Sequence, residues 1–164
     1  IYPALEKGTI DAAEWVGPYD DEKLGFNKVA KYYYYPGFWE GGPTVHAFVN
    51  LDKWNSLPKS YQAILDAATS YANTWMAARY DFQNPAALKR LLLGGGTQLK
   101  PFSDEILDAA LKATNELWAE LSAKNADFKK SIEAMKAYSS DEYLWWQVAE
   151  SRFDAYMMKS RSRG

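Results

Sequence analysis

The longest periodic segment of the chain covers residues 56–85 and reads SLPKSYQAILDAATSYANTWMAARYDFQNP. Its apolar side chains recur at intervals of three and four residues, which is the pattern of one face of an α-helix. About 26 residues of helix would span roughly 39 Å. A compact domain of 164 residues has a radius of gyration of only about 15 Å. The segment therefore predicts a helix that braces something larger, such as a protein of two lobes.

Serine, proline and glycine mark the predicted ends of this helix. Ser56 is a candidate N-cap, and Pro58 fits the first helical turn. We expect a kink or a restart at Asn84-Pro85, because proline removes one backbone hydrogen bond. The three glycines at 94–96 end the helix. They do not suggest a phosphate loop, since such a loop follows a strand and opens a helix.

Shorter segments on either side of this helix alternate between strand and helix patterns. Strands are predicted for residues 9–16 and 44–50, a short strand or linker for 97–101, and a short helix and a return strand within 19–31. Further helices are predicted from residue 103, over 126–138, and from Ser139 to about 159, where Glu142 completes a capping-box spacing. Because strands alternate with helices, this order favours a helix-rich α/β fold with a largely parallel sheet over an all-helical bundle.

The composition limits the class of protein. The chain is 48% hydrophobic and 24% charged, with a formal net charge of −2, as in a globular chain of about one domain. It lacks the basic excess of a nucleic-acid binder. Cysteine is absent and His46 is the single histidine, so disulfides, thiolate nucleophiles and histidine-rich metal sites are excluded. Within an apolar predicted strand, His46 itself suggests a hydrogen-bonded structural residue.

Aromatic residues make up 16% of the chain and could fill a core well, since each buries roughly 150–250 Å². Trp145 and Trp146 point about 100° apart on a helix, so both cannot easily enter one core. Core packing and an oligomer surface both remain open for this pair.

Two acids adjacent to tryptophan, in Glu14-Trp15 and Trp39-Glu40, are the strongest candidates for a site. Both lie in predicted loops near strand ends, where open α/β sheets bind ligands. Two nearby carboxylates repel each other unless a cation lies between them or one is protonated. An oxygen-only site would select a hard ion such as Na⁺ or Ca²⁺. The alternative is that each glutamate is a solvated loop residue.

The segments that carry these acids closely resemble a known family. Residues 2–21 read YPALEKGTIDAAEWVGPYDD and residues 32–43 read YYYYPGFWEGGP. Both resemble the second half of periplasmic solute-binding subunits of tripartite ATP-independent (TRAP) transporters. The similarity is to the DctP-type family, in the branch that binds 2-oxo acids such as pyruvate and lactate-like hydroxy acids. It extends more weakly through the remaining chain.

The resemblance implies a two-lobed α/β protein that closes on its ligand, with a metal ion, Na⁺ or Ca²⁺, bridging the protein to the substrate carboxylate. Glu14 and Glu40 would be side-chain metal ligands. Trp15 would contribute its main-chain carbonyl or a pocket wall, and Phe38 and Trp39 would line the substrate. Phe38 stands where close relatives are expected to have tryptophan, which would alter the pocket wall.

The resemblance also implies a periplasmic location, delivery of the acid to TRAP membrane permease subunits without turnover, and a homodimer formed through the C-terminal helix. Residues 1–49 would belong to the ligand-binding lobe, 50–96 would form a crossover strand and the bracing helix, and 97–164 would form C-terminal helices. The family's upstream half holds a signal peptide, most of one lobe and an arginine that pairs with the substrate. We therefore expect a C-terminal fragment that binds the acid poorly alone.

Two other functions remain open from the residues. One is an enzyme acting on a small carboxylate, with Glu14 or Glu40 as general base in aromatic surroundings. The other is a non-catalytic helical interaction module whose aromatic residues are core and dimer contacts. Turnover would support the enzyme, and exposed, widely separated glutamates would favour the helical module.

Overall fold

The computed structural model describes residues 1–42, 45–94 and 96–161. The helices in these ranges are α1 (Tyr2–Glu6), α2 (Pro18–Lys23), α3 (Leu51–Ser56), α4 (Lys59–Gly94), α5 (Asp104–Lys124), α6 (Ala126–Trp146) and α7 (Glu150–Arg161), with a 3-10 turn at Phe26–Lys28. The strands are β1 (Tyr32–Tyr35) and β2 (Gln98–Pro101). One compact unit comprises Ile1–Ser103, and a second begins at Asp104. The predicted helix-rich α/β class is confirmed.

The first unit is built around a parallel pair of strands. β1 and β2 pair with Tyr33 opposite Leu99, and the chain between them contains α3 and α4. The Phe102 amide donates to the Tyr35 carbonyl at 2.8 Å, which carries the pairing one residue beyond β2. This is a strand, helix, strand unit of the kind expected for parallel pairing. Of the strand or linker predicted at 97–101, the structure has the strand, β2, over Gln98–Pro101, and the predicted parallel arrangement is confirmed.

Three predicted strands are absent from the described residues. The return strand expected within 19–31 is missing, because these residues form the end of α2 and the 3-10 turn at Phe26–Lys28. Residues 9–16 and 45–50 contain no strand, and Thr44 of the second prediction lies outside the described residues. A strand requires a neighbour that completes its hydrogen-bond ladder, whatever its own propensity. Phe48 is 93% exposed in the second segment. His46 is also exposed and, in the part of the chain that is described, has no hydrogen bond, so its predicted structural role is wrong.

The start of α4 differs from the predicted one. Ser56 is the last residue of α3, and its hydroxyl donates to the Lys53 carbonyl at 2.8 Å, so it does not cap α4. Pro58 precedes α4, and its carbonyl accepts the amides of Tyr61 and Gln62. Because proline lacks an N–H donor but keeps its carbonyl, it fits the residue just before a helix.

Of the kink or restart predicted at Asn84-Pro85, the restart is wrong, because α4 continues through Pro85 for 36 residues in all. At 1.5 Å per residue such a helix is about 54 Å long. Proline removes one helical hydrogen bond, but contacts with α2 on either side of it hold the surrounding turns. The prediction of an unusually long helix is confirmed.

The second unit consists of three consecutive helices. Asn125 caps α6, since its side chain accepts the Phe128 amide at 2.9 Å. The predicted helix start at Ser139 is wrong, because α6 continues to Trp146 and α7 begins at Glu150. Glu142 contacts the Tyr138 hydroxyl one turn earlier, which raises the pKa of Tyr138 and replaces the predicted capping box.

Little apolar surface is removed from solvent in the described residues. The buried hydrophobic residues there are Ala87 and Leu91. The prediction that the aromatic residues fill a core is therefore wrong for this chain taken by itself. Trp145 and Trp146 are 59% and 51% exposed, so the core-packing interpretation of this pair fails as well. Among the described helices, none combines the length and the apolar character that crossing a membrane would require.

Candidate functional site

Glu14 and Trp15 lie in an irregular segment between α1 and α2. Gly8 follows α1 with a φ of 66°, a left-handed conformation that favours glycine and suits the end of a helix. Both Glu14 and Trp15 are exposed. The segment runs directly into α2 at Pro18, whose fixed φ suits the first helical position. The position of the Glu14 segment therefore depends on what holds α2.

Helix α2 is short, yet four consecutive side chains in it each contact a different partner. Successive helical residues point about 100° apart, so this run reaches elements on several sides. The contacts join Tyr19 to Arg79, Asp20 to Tyr80, Asp21 to Tyr33, and Glu22 to Arg90. We call these four residues and their partners the α2 junction. Three of the partners lie on α4 and the fourth lies on β1.

The contact with β1 is the most buried part of the α2 junction. The Tyr33 hydroxyl donates to Asp21 Oδ2 at 2.5 Å, and Asp21 is 7% exposed. Burial raises the pKa of Asp21, and the Tyr33 hydroxyl partly offsets this by stabilising the carboxylate. The charges of Asp20 and Glu14 also raise this pKa, so the Glu14 carboxylate acts electrostatically on Asp21. Burial and the Asp21 contact together raise the pKa of Tyr33 well above its usual range.

Helix α4 holds α2 at both of its ends. Gly17 precedes α2 and has no side chain for capping, so the Asn84 side chain of α4 accepts the Tyr19 amide at 3.0 Å instead. At the other end, Arg90 donates two hydrogen bonds to the Glu22 carboxylate, at 2.7 and 2.6 Å. This bidentate contact lowers the pKa of Glu22.

The second acidic loop follows β1 and carries a cluster of aromatic rings. Phe38 meets Trp39 edge to face, with ring centroids 4.5 Å apart. Phe102, which directly follows β2, lies 5.3 Å from Phe38 and stacks 5.0 Å from Tyr34. The cluster thus joins the loop to the ends of both strands, and edge-to-face pairs of this kind add to area burial. Glu40 follows Trp39 and is exposed.

The donor chemistry of Glu14 and Glu40 fits a hard cation. Their carboxylates make no hydrogen bond or ion pair with any residue in 1–42, 45–94 and 96–161, so all four oxygens are available. Carboxylate oxygens are the ligands that Ca²⁺ prefers. Two such groups are too few to complete a coordination sphere alone, and the described residues contain no group of three or more acidic or histidine side chains suited to a metal.

The structure brings together some of the predicted site residues. Phe38 and Trp39 pack against each other, and Glu40 follows them in the same loop. Within the described ranges, no ring contact, hydrogen bond or ion pair joins Trp15 or Glu14 to that loop. Surface depressions of about 350 and 320 Å³ lie along α4, and neither is lined by these residues. Phe38 and Trp39 thus form an aromatic cluster with Phe102, and neither of these two depressions surrounds Glu14 or Glu40.

Sequence reasoning missed several residues that shape the site. Phe102 was not singled out, although a parallel pairing of residues 32–35 with 98–101 places it beside the end of β1. Asp21 and Tyr33 lie within the family motifs at residues 2–21 and 32–43, but no role was predicted for either side chain. A usable signal was the pair Asp20-Asp21 in the first turn of a short helix, since adjacent acids on a helix face different directions.

Comparison with known proteins places these features in a family. The pattern of the DctP family, bacterial extracellular solute-binding protein family 7, matches residues 1–125. A monocarboxylate 2-oxoacid-binding periplasmic protein from Nostoc sp. is 50% identical over 161 residues, covering 98% of this chain and 44% of the relative. The chain therefore spans about half the length of the curated relative that it matches.

Solved structures show the same fold. A TRAP transporter solute-binding protein from Bordetella bronchiseptica matches with a TM-score of 0.94 and 51% identity, over 99% of this chain and 48% of that one. That structure is a mixed-occupancy dimer with copurified calcium and picolinate at one active site and an apo second site. A protein from Pseudoalteromonas atlantica with sodium and pyruvate bound matches at TM-score 0.79 and 32% identity, over 93% of this chain and 46% of that one. A protein from Colwellia psychrerythraea with calcium and pyruvate bound matches at TM-score 0.84 and 31% identity, over 93% of this chain and 47% of that one.

Proposed function

Because the chain belongs to the bacterial extracellular solute-binding proteins of family 7, we propose that it forms part of a periplasmic subunit that captures a small 2-oxo acid through a bound cation. Glu14 and Glu40 would supply carboxylate ligands, and Trp15 would add its main-chain carbonyl or a pocket wall. Phe38 and Trp39 would line the substrate. The cation, Na⁺ or Ca²⁺, would offset the repulsion between the acids and an anionic substrate.

One observation carries this proposal. Glu14 and Glu40 are exposed and have no partner in the described parts of the chain, although Asp20, Asp21 and Glu22 of the α2 junction are each engaged. An uncommitted carboxylate beside an exposed tryptophan on each of two loops is suited to an external ligand. Exposure of both glutamates also suits the helical interaction module, so the choice between these two functions rests on the relatives. The relatives from Pseudoalteromonas and Colwellia, which have pyruvate bound together with sodium or calcium, support a cation-assisted acid as that ligand.

The same family suggests how the protein acts and which partners it binds. We infer a binding role without turnover, in which the closed subunit releases its acid to TRAP permease subunits in the membrane. Residues 1–49 would provide ligand-binding loops, 50–96 the bracing helix and 97–164 the C-terminal helices. Exposed apolar side chains on α6 and α7, including Trp145 and Phe153, would form a homodimer contact.

The enzyme alternative finds less support. A carboxylate that acts as a general base in apolar surroundings needs burial to tune its basicity. Glu14 and Glu40 are both exposed. Binding of an external ion accounts for exposed, unpaired carboxylates more directly than proton abstraction does.

The experiment is calorimetry on the full-length gene product, titrated with CaCl₂ and then with pyruvate. Glu14→Gln and Glu40→Gln should each weaken Ca²⁺ binding by at least the roughly 10- to 100-fold that loss of an outer-shell partner costs. Pyruvate binding should then depend on Ca²⁺ and fall in both variants. Glu133→Gln is the matched control, because this exposed glutamate lies on α6.

Two results would contradict the proposal, and a third would contradict the expectation about this chain alone. Unchanged affinity in both glutamine variants would remove the metal assignment. Conversion of pyruvate into a product would support the enzyme instead. Micromolar or tighter binding of pyruvate with Ca²⁺ to residues 1–164 alone would overturn the expectation that this chain binds the acid poorly by itself.

A further inference from the structure

We propose that the hydrogen bond between Tyr33 and Asp21 positions the two acidic loops relative to each other and thereby sets the geometry of the cation site. The inference rests on the proposed function of Glu14 and Glu40. Asp21 and Tyr33 are assigned here as positioning residues, because neither side chain needs to touch the ion. Their effect would act through the two loops that they join.

The path of the chain supports this role. Glu14 precedes Asp21 by seven positions, and Glu40 follows Tyr33 by seven positions. Asp21 lies on α2, which follows the first loop, and Tyr33 lies on β1, which leads into the second. A contact between them therefore connects the two acids through short, structured segments. In the residues described, it is the single side-chain hydrogen bond that joins α2 to β1.

The other contacts of α2 cannot replace this one. Tyr19 and Glu22 bind side chains of α4, so they hold α2 against the long helix and leave its position relative to β1 unspecified. Asp21 is 7% exposed, and its Oδ1 atom has no hydrogen-bond partner among the described residues. If the Tyr33 hydroxyl is removed, the buried carboxylate loses its side-chain donor, which is costly enough to favour rearrangement.

A cation site is sensitive to such a rearrangement. Calcium binds oxygen ligands at about 2.3–2.6 Å. A shift of about 1 Å between two ligand-bearing loops would therefore detach one carboxylate. Outer-shell contacts that orient metal ligands typically change metal affinity by roughly 10- to 100-fold when they are lost.

The test uses the full-length gene product with CaCl₂ in calorimetry and with Tb³⁺ as a luminescent probe of the same site. Tyr33→Phe and Asp21→Leu should each weaken Ca²⁺ binding about tenfold. Each should also shorten the Tb³⁺ lifetime in H₂O relative to D₂O, because water replaces a detached carboxylate. Asp21→Asn keeps an oxygen acceptor for the Tyr33 hydroxyl and should stay within about threefold of the wild type. Tyr33→Phe should add nothing in the Asp21→Leu background.

Arg90→Gln is the matched control, because it removes a contact between α2 and α4 and leaves the contact with β1 intact. It should lower the melting temperature without changing Ca²⁺ affinity or the Tb³⁺ lifetime. If Tyr33→Phe binds Ca²⁺ like the wild type while Glu14→Gln does not, the positioning role is wrong and the proposed function stands. If the wild type binds neither Ca²⁺ nor Na⁺, both are wrong.

Discussion

Helices α2 and α6 differ in the contacts that their side chains make within the chain. Helix α2 has six residues, and four consecutive side chains in it bind partners on α4 and β1. Helix α6 has 21 residues and no buried side chain. Trp145 and Trp146 at its end are exposed, although indole rings are among the side chains that gain most from burial. Side-chain contacts within the chain thus fix the position of the shorter helix.

The two helices depend on different kinds of interaction. Hydrogen bonds and ion pairs are directional, so the α2 junction fixes where its neighbouring loops lie. Burial of apolar surface is not directional, and an exposed apolar helix accepts any surface of matching shape. We therefore expect loss of the contact between Asp21 and Tyr33 to alter the candidate site, and changes at α6 and α7 to alter assembly.

The largest effect is expected at the apolar surface of α6 and α7. Trp145→Ser combined with Phe153→Ser should weaken homodimer formation by at least about 30-fold, the equivalent of about 2 kcal/mol for an interface hot spot. Sedimentation equilibrium of the full-length gene product measures the dimer constant. Tyr71→Ser on α4 removes an equally exposed ring and serves as control. A fall in melting temperature with an unchanged dimer constant would mean that the same chain covers this surface.

A smaller effect is expected where α4 caps α2. Asn84→Ala removes the acceptor of the Tyr19 amide and should lower the free energy of unfolding by about 1 kcal/mol, as loss of a helix N-cap does. Urea unfolding of the full-length gene product measures this change in the free energy of unfolding. Asn115→Ala, at an exposed site in α5, should change stability by less than about 0.5 kcal/mol. Equal effects of the two substitutions would argue against a specific role for α2.

The pH dependence of stability tests the burial of Asp21. Its pKa is higher in the folded protein than in the unfolded chain, so the folded state binds the proton more readily. The Asp21 contribution is therefore least favourable at neutral pH and improves as the pH falls through the raised folded value. Relative to Asp21→Asn, the wild type should gain stability between pH 7 and pH 4 in urea unfolding. Asp154→Asn, at an exposed site, should show no such trend.

The smallest effect is expected for the exposed ion pair of the α2 junction. The contact with Arg90 lowers the pKa of Glu22, so its stabilisation is present above the unfolded pKa and disappears as the pH falls through the folded value. Glu22→Gln should lower the melting temperature at pH 7 by less than Asn84→Ala does, because solvent screens the pair. Between pH 7 and pH 3 the difference from wild type should shrink. A constant difference at both values would contradict the assignment.

Local patterns predicted the helices well and the strands poorly. The helical periodicity after Ser56 and the start of α6 both match the structure, because helical hydrogen bonds form within one segment. Residues 9–16 and 45–50 have strand-like patterns and form none, since a strand needs hydrogen bonds from a partner. Ser139 failed as a helix start because the local capping signal is weaker than continued helical contacts.

In the candidate site as well, some residues follow from local patterns and others only from long-range pairing. Glu14 and Glu40 were predicted as ligands because an acid beside tryptophan in a loop is unusual and belongs to recognisable motifs. Phe102 was not found, because its place against Phe38 depends on the register between β1 and β2. That register is set by residues more than sixty positions apart, which no local pattern encodes.

The amino-acid sequence by itself determined the family, the absence of thiol chemistry, the long helix and the two acidic loops, because each depends on residue identity and local spacing. Only the tertiary structure decided which of the adjacent acids Asp20 and Asp21 binds Tyr33. It also decided that Trp145 stays exposed while Phe102 packs. Desolvation and hydrogen bonding depend on neighbours brought from elsewhere in the chain, and those neighbours are defined only after folding.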